Sequence, residues 1–128
     1  MNIFEKLVSL EHEASEYGFR WENADQVLSQ IESECTEISE HIYKTNNNDK
    51  LKLQEEIGDL LHAAFSLCVF LKFNPQKTLE NSVDKFEHRF RILQSLANAE
   101  GIKNLEGRSF KELMDFWDRA KQITQKTP

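Results

Sequence analysis

The chain has 128 residues and a formal net charge of −6, room for one ordinary core, so a single domain over residues 1–128 is expected. Only four glycines and two prolines punctuate it, which favours long helices over a turn-rich β architecture and predicts an all-α class. The 16 Lys and Arg form no cluster against 22 Asp and Glu, which excludes a duplex nucleic-acid binder, and no apolar run approaches the roughly eighteen residues of a membrane span.

Ile3, Leu7, Leu10, Ala14 and Tyr17 repeat in steps of four and three, predicting a first helix that ends near Gly18. The chain's start, Met1-Asn2-Ile3-Phe4-Glu5, lacks the basic then apolar order of a signal peptide, and a cytoplasmic protein is expected. Asn23 and Gln26 have the spacing of a capping box for a second helix, with a seam of Leu28, Ile31, Cys35, Ile38 and Ile42. A turn is expected at Asn46-Asn47-Asn48-Asp49, whose side chains compete for backbone hydrogen bonds.

The third helix carries Leu53, Ile57, Leu60, Ala64, Leu67 and Leu71 and stops before Asn74-Pro75, which opens the next. The fourth carries Leu79, Val83, Phe86, Phe90, Leu93 and Ala97. Ser109 and Glu112 cap a short fifth helix with Phe110, Leu113, Met114, Trp117 and Ala120. The expected architecture is an antiparallel bundle of four main helices plus this C-terminal one. From Leu60 to Phe73 the third helix is apolar nearly all round, which predicts burial of that helix in a homodimer interface. Cys35 and Cys68 lie in apolar pattern without C-x-x-C spacing and read as two buried free thiols.

Glu34 and Glu37 are three apart on the second helix, and Glu56 and Asp59 three apart on the third, so each pair projects from one helical face and can share an ion. Each acid sits one residue before a seam position, so neighbouring helices would bring the two pairs together. Four converging carboxylates are hard to sustain without cations. All-oxygen ligands suit magnesium or manganese, and such an ion suits phosphoryl chemistry. On spacing alone, a solvated acidic face is the simpler account. Gly58 inside a helix costs about 1 kcal/mol against alanine, for which close packing is the expected reason. His62, one turn after Asp59, is expected to be a hydrogen-bonded structural histidine rather than a partner of the acids. A di-iron reading would need two E-x-x-H motifs, and Asp59 to His62 is a poor approximation to one.

The run Glu55-Glu56-Ile57-Gly58-Asp59-Leu60-Leu61 resembles the E-E-x-G-D-L-L signature of the MazG nucleoside triphosphate pyrophosphohydrolases. Gly18-Phe19-Arg20-Trp21 is similar to that family's G-F-x-W entry, residues 85–91 to its K-F-E-R-R-F-R segment, and residues 114–121 to its closing M-x-x-x-W-x-x-x-K. The resemblance spans Gly18 to Lys121 and is nearest to the catalytic C-terminal half of two-domain members.

It implies an all-α enzyme, usually a dimer, that hydrolyses nucleoside or deoxynucleoside triphosphates to monophosphate and pyrophosphate. Magnesium would be held by Glu34, Glu37, Glu56 and Asp59, with substrate contacts from Lys85, Arg89, Trp117 and Lys121. Two positions depart from the pattern: Ser33 replaces the first Glu of E-E-x-x-E, and Gln30 stands where the family often has Lys. The rival expectations are a narrow dUTP or dCTP pyrophosphatase of the same superfamily and a helical interaction module that has lost catalysis.

Overall fold

The structure, a computed structural model, describes residues 1–44 and 49–125. Among these the chain forms five α-helices and no strand: α1 (Ile3–Tyr17), α2 (Ala24–Lys44), α3 (Lys50–Phe70), α4 (Pro75–Ala99) and α5 (Phe110–Gln125). The all-α expectation holds. The chain divides into two compact units, Met1–Thr78 and Leu79–Pro128.

Local chemistry sets the helix ends much as the sequence implies. Asn2 caps α1 by accepting from the Glu5 amide at 2.8 Å. Gly18 ends α1 at φ 104°, a left-handed conformation that favours glycine, and the Phe19 amide closes back on the Ala14 carbonyl at 2.9 Å. Asn23 accepts from the Gln26 amide at 3.0 Å at the start of α2, but the return bond from Gln26 goes to the Glu22 amide, at 2.7 Å, one residue further out than in a capping box. Of the expected Asn-rich turn, positions 46–48 lie outside the described residues, and Asp49 caps α3 through the Lys52 amide at 3.1 Å. Asn74 caps α4 through the Lys77 amide at 2.9 Å, with Pro75 in the first helical position.

In the first unit α2 and α3 form the main packed pair and α1 lies against α3. The seams differ in phase from the sequence expectation. Along α2 the inward residues are Val27, Ile31, Glu34, Ile38 and His41, while Leu28 and Ile42 are exposed. Along α3 they are Leu53, Glu56, Leu60, Ala63 and Leu67, while Ile57, Leu61 and Leu71 are exposed. Part of each expected seam holds, Ile31 and Ile38 on α2 and Leu53, Leu60 and Leu67 on α3, while at the other positions the residue before faces inward, a partial turn of each helix relative to a seam of apolar residues alone. The same turn corrects the reading of two buried thiols: Cys35 is exposed and Cys68 half-buried. On α1 the covered face runs through Phe4, Leu7, Val8, Glu11 and Ala14, with the Phe4 ring set edge-on to Phe65 at 5.3 Å.

The second unit holds most of α4 and all of α5. Its core is Ala97, Phe116 and Ala120, and the Phe86 ring lies 5.6 Å from Trp117. The α4 stripe read from the sequence is covered only toward its end: Leu79, Val83, Phe86 and Phe90 are exposed. Ser109 caps α5 by accepting from the Glu112 amide at 3.2 Å, and its hydroxyl donates to Glu112 Oε1, also at 3.2 Å.

Candidate active site between α2 and α3

The partial turn of both helices brings two acids, Glu34 and Glu56, in among the apolar residues of the α2–α3 seam. Glu34 is buried, with 8% of its surface exposed, and the Glu56 side chain is 15% exposed. Each carboxylate has one oxygen engaged. Gln30 Nε2 donates to Glu34 Oε1 at 2.7 Å, and His41 Nδ1 lies 3.5 Å from Glu56 Oε1. The other oxygen of each, Oε2, is buried without a hydrogen-bond partner among the described residues. A buried carboxylate oxygen left in this way is costly unless something of opposite charge reaches it.

Glu37 sits at the exposed edge of the same cluster. Its carboxyl is held above its ordinary value, first by the charge on Glu34, then by partial loss of hydration, then by Glu56, then by a side-chain hydrogen bond with Glu34, with Asp59 adding to the effect. Glu37 therefore feels the charge of each of the other three sequence-predicted acids. Among the described residues no three His, Cys, Asp or Glu side chains are set to ligate a common point, so the four share a field without forming a closed coordination shell.

The other candidates divide by element. His62 does not join the acids: its Nε2 lies 3.3 Å from Glu11 Oε1 on α1, and the same oxygen accepts from buried Ser66 at 2.6 Å. The His62 side chain is 62% exposed, so the pairing with Glu11 is a surface contact between α1 and α3. Gly58 is not explained by packing, because a Cβ built there meets nothing within 4 Å. It lines a cavity of about 730 Å³ between α1, the following turn and α3, together with Leu7, Leu10, Phe19, Trp21 and Leu61. Two separated sequence motifs thus share one cavity wall.

In the second unit Lys85 is exposed on α4, and Arg89 is half-buried with its Nε donating to Thr124 Oγ1 at 3.3 Å. Trp117 is half-buried against Phe86, and Lys121 Nζ lies 4.0 Å from Asp118 Oδ1. Sequence reasoning missed His41 altogether. Its spacing of seven from Glu34, two helical turns, was the available signal.

Residues 22–91, the stretch that carries all four acids, match the family described as the MazG nucleotide pyrophosphohydrolase domain. The chain belongs to the MazG family. A Thermotoga maritima protein named nucleoside triphosphate pyrophosphohydrolase/pyrophosphatase MazG is 32% identical over 112 residues, 88% of this chain and 41% of its own length. An Escherichia coli K12 protein named nucleoside triphosphate pyrophosphohydrolase is 29% identical over 107 residues, 82% of this chain and 39% of its own. The chain thus spans about two fifths of these MazG-family relatives. The Bacillus subtilis protein YabN, itself uncharacterised, is 31% identical over 75 residues.

Proposed function

We propose that this chain hydrolyses nucleoside or deoxynucleoside triphosphates between the α and β phosphates, releasing monophosphate and pyrophosphate, as cytoplasmic nucleotide-pool housekeeping. The observation that carries the reading is the pair of buried, unpartnered oxygens on Glu34 and Glu56 inside a cluster that already raises the Glu37 carboxyl. The partner such a cluster calls for is a divalent cation that takes oxygen ligands, magnesium or in its place manganese, with Glu34, Glu37, Glu56 and Asp59 as the donor set. When bound, such an ion would polarise a phosphate oxygen and make water a stronger acid.

The chain's own residues do the rest. Glu34 and Glu56 offer oxygens fixed inside the α2–α3 seam, and the more exposed Glu37 and Asp59 border them toward solvent. Lys85, Arg89 and Lys121 are the cations proposed to balance phosphate charge, and Trp117 the face proposed for the base. Membership of the MazG family and the names of the two pyrophosphohydrolase relatives support this assignment. A homodimer covering α3 is proposed with it, supported by the exposure of Ile57, Leu61 and Leu71.

The test is product analysis with purified chain, magnesium and each common NTP and dNTP. Monophosphate with pyrophosphate is expected, lost on chelation and lowered at least about a hundredfold by Glu56→Gln with helicity unchanged. Intact triphosphate across the whole panel would sink the proposal and favour an interaction module.

A further inference from the structure

The two acids of the seam are each met on one oxygen, by different neighbours and at different range. Glu34 is reached along its own helix, one turn away, by the Gln30 amide at 2.7 Å. Glu56 is approached across the helix pair by the His41 imidazole at 3.5 Å, with the His41 side chain 9% exposed. In both cases the contact falls on Oε1 and the buried Oε2 has no hydrogen-bond partner among the described residues. Contacts that served only to hold the fold would be expected to satisfy both oxygens of a buried carboxylate. Engaging one oxygen does something else: it limits rotation of the carboxylate and so sets the direction in which the second oxygen points.

We infer that Gln30 and His41 are positioning residues, holding Glu34 and Glu56 from behind so that the free oxygen of each is set in advance toward a divalent cation. The inference rests on the reading of the acid cluster given above. Gln30 suits the task because an amide donates a hydrogen bond and carries no charge, leaving the full negative charge of Glu34 for the ion. His41 links α2 to α3, so it also fixes the distance between the two acid pairs. Its contact with Glu56 makes the Glu37 helix and the Asp59 helix one support.

The experiment measures binding of the metal alone. The full chain, its Gln30→Ala, His41→Ala and His41→Gln variants, and Glu56→Gln as reference are titrated calorimetrically with Mn²⁺ and with Mg²⁺ in the absence of nucleotide. Each alanine variant is expected to weaken metal binding about 10- to 100-fold. At saturating metal its turnover should stay within a few-fold of the parent, and its melting temperature in chelator should not fall in step with affinity. His41→Gln, which still presents a donor, is expected to recover part of the loss. Unchanged affinity in folded Gln30→Ala and His41→Ala would overturn the inference. Should His41→Ala not fold, Gln30→Ala decides alone, since Gln30 is exposed and its loss leaves the helix pair intact. A parent chain that binds neither ion would instead overturn the reading of the cluster, a result distinct from equal binding by parent and variants.

Discussion

Glu37 is where the cost of gathering four acids is concentrated. Its carboxyl keeps a proton more tightly in the folded chain than in the unfolded one, where it would titrate near its usual value of 4.5. Without a cation, folding therefore loses stability as pH rises from that value through the raised folded value, because the unfolded state gives up its proton first. Below the ordinary carboxylate range both states are protonated and the penalty is absent. Glu37→Gln removes it, so in chelator at neutral pH the variant should melt above the parent, and near pH 3 the two should coincide. In magnesium the order should reverse, since a cation stabilises only the form with the full set of acids. Thermal unfolding at both pH values, with chelator and with magnesium, checks this; a variant that never exceeds the parent in chelator would refute it. The four acids themselves were legible from spacing and motif, because a helix fixes which side chains share a face. The contacts of Gln30 and His41 with Glu34 and Glu56 were less legible, since helical spacing places them near the acids but no motif marks them.

All five helices were legible in kind, from apolar spacing throughout and, at three of them, from caps at Asn23, Asn74 and Ser109, each of which accepts the amide three residues on. What the pattern misjudged was rotation. Placing Leu28, Cys35 and Ile42 in the seam assumes that the most apolar stripe faces inward, whereas α2 and α3 face each other through Glu34, His41 and Glu56. Local rules fail most where a helix pair is built around a site. Gly58 marks the same conflict on α3. Its backbone is helical and its Cβ position is open, so Gly58→Ala should stabilise the isolated helix pair by about 0.5–1 kcal/mol. The open space belongs to the cavity wall shared with Phe19 and Trp21. If that space is needed in the working enzyme, the variant should melt higher and turn over more slowly. Chemical denaturation alongside the product assay separates the two effects, and a variant less stable than the parent would show that the space is already filled.

At the scale of the whole molecule the unsolved term is apolar surface. Among the described residues Val27 and Pro75 are the largest side chains fully buried, while Leu61 is 52% and Phe73 62% exposed. Among the described residues no helix is long and apolar enough to cross a membrane, so these exposed side chains are not explained by a span. Burial of apolar area contributes roughly 25 cal/mol per Å². A second copy laid on α3 would bury Ile57, Leu61 and Leu71 together, a gain available to the assembly and denied to the single chain. Leu71→Glu tests this because the position is half open in the single chain and lies outside the cavity wall: the substitution costs little there, yet places a charge in the proposed contact. The parent is expected to sediment as a dimer at micromolar concentration and the variant as a monomer of unchanged helicity. Because each acid cluster lies within one chain, between α2 and α3, metal binding by the monomeric variant should persist even where turnover falls. A parent that sediments as a monomer would leave the α3 face without its proposed cover, and the activity would then have to be carried by the single chain.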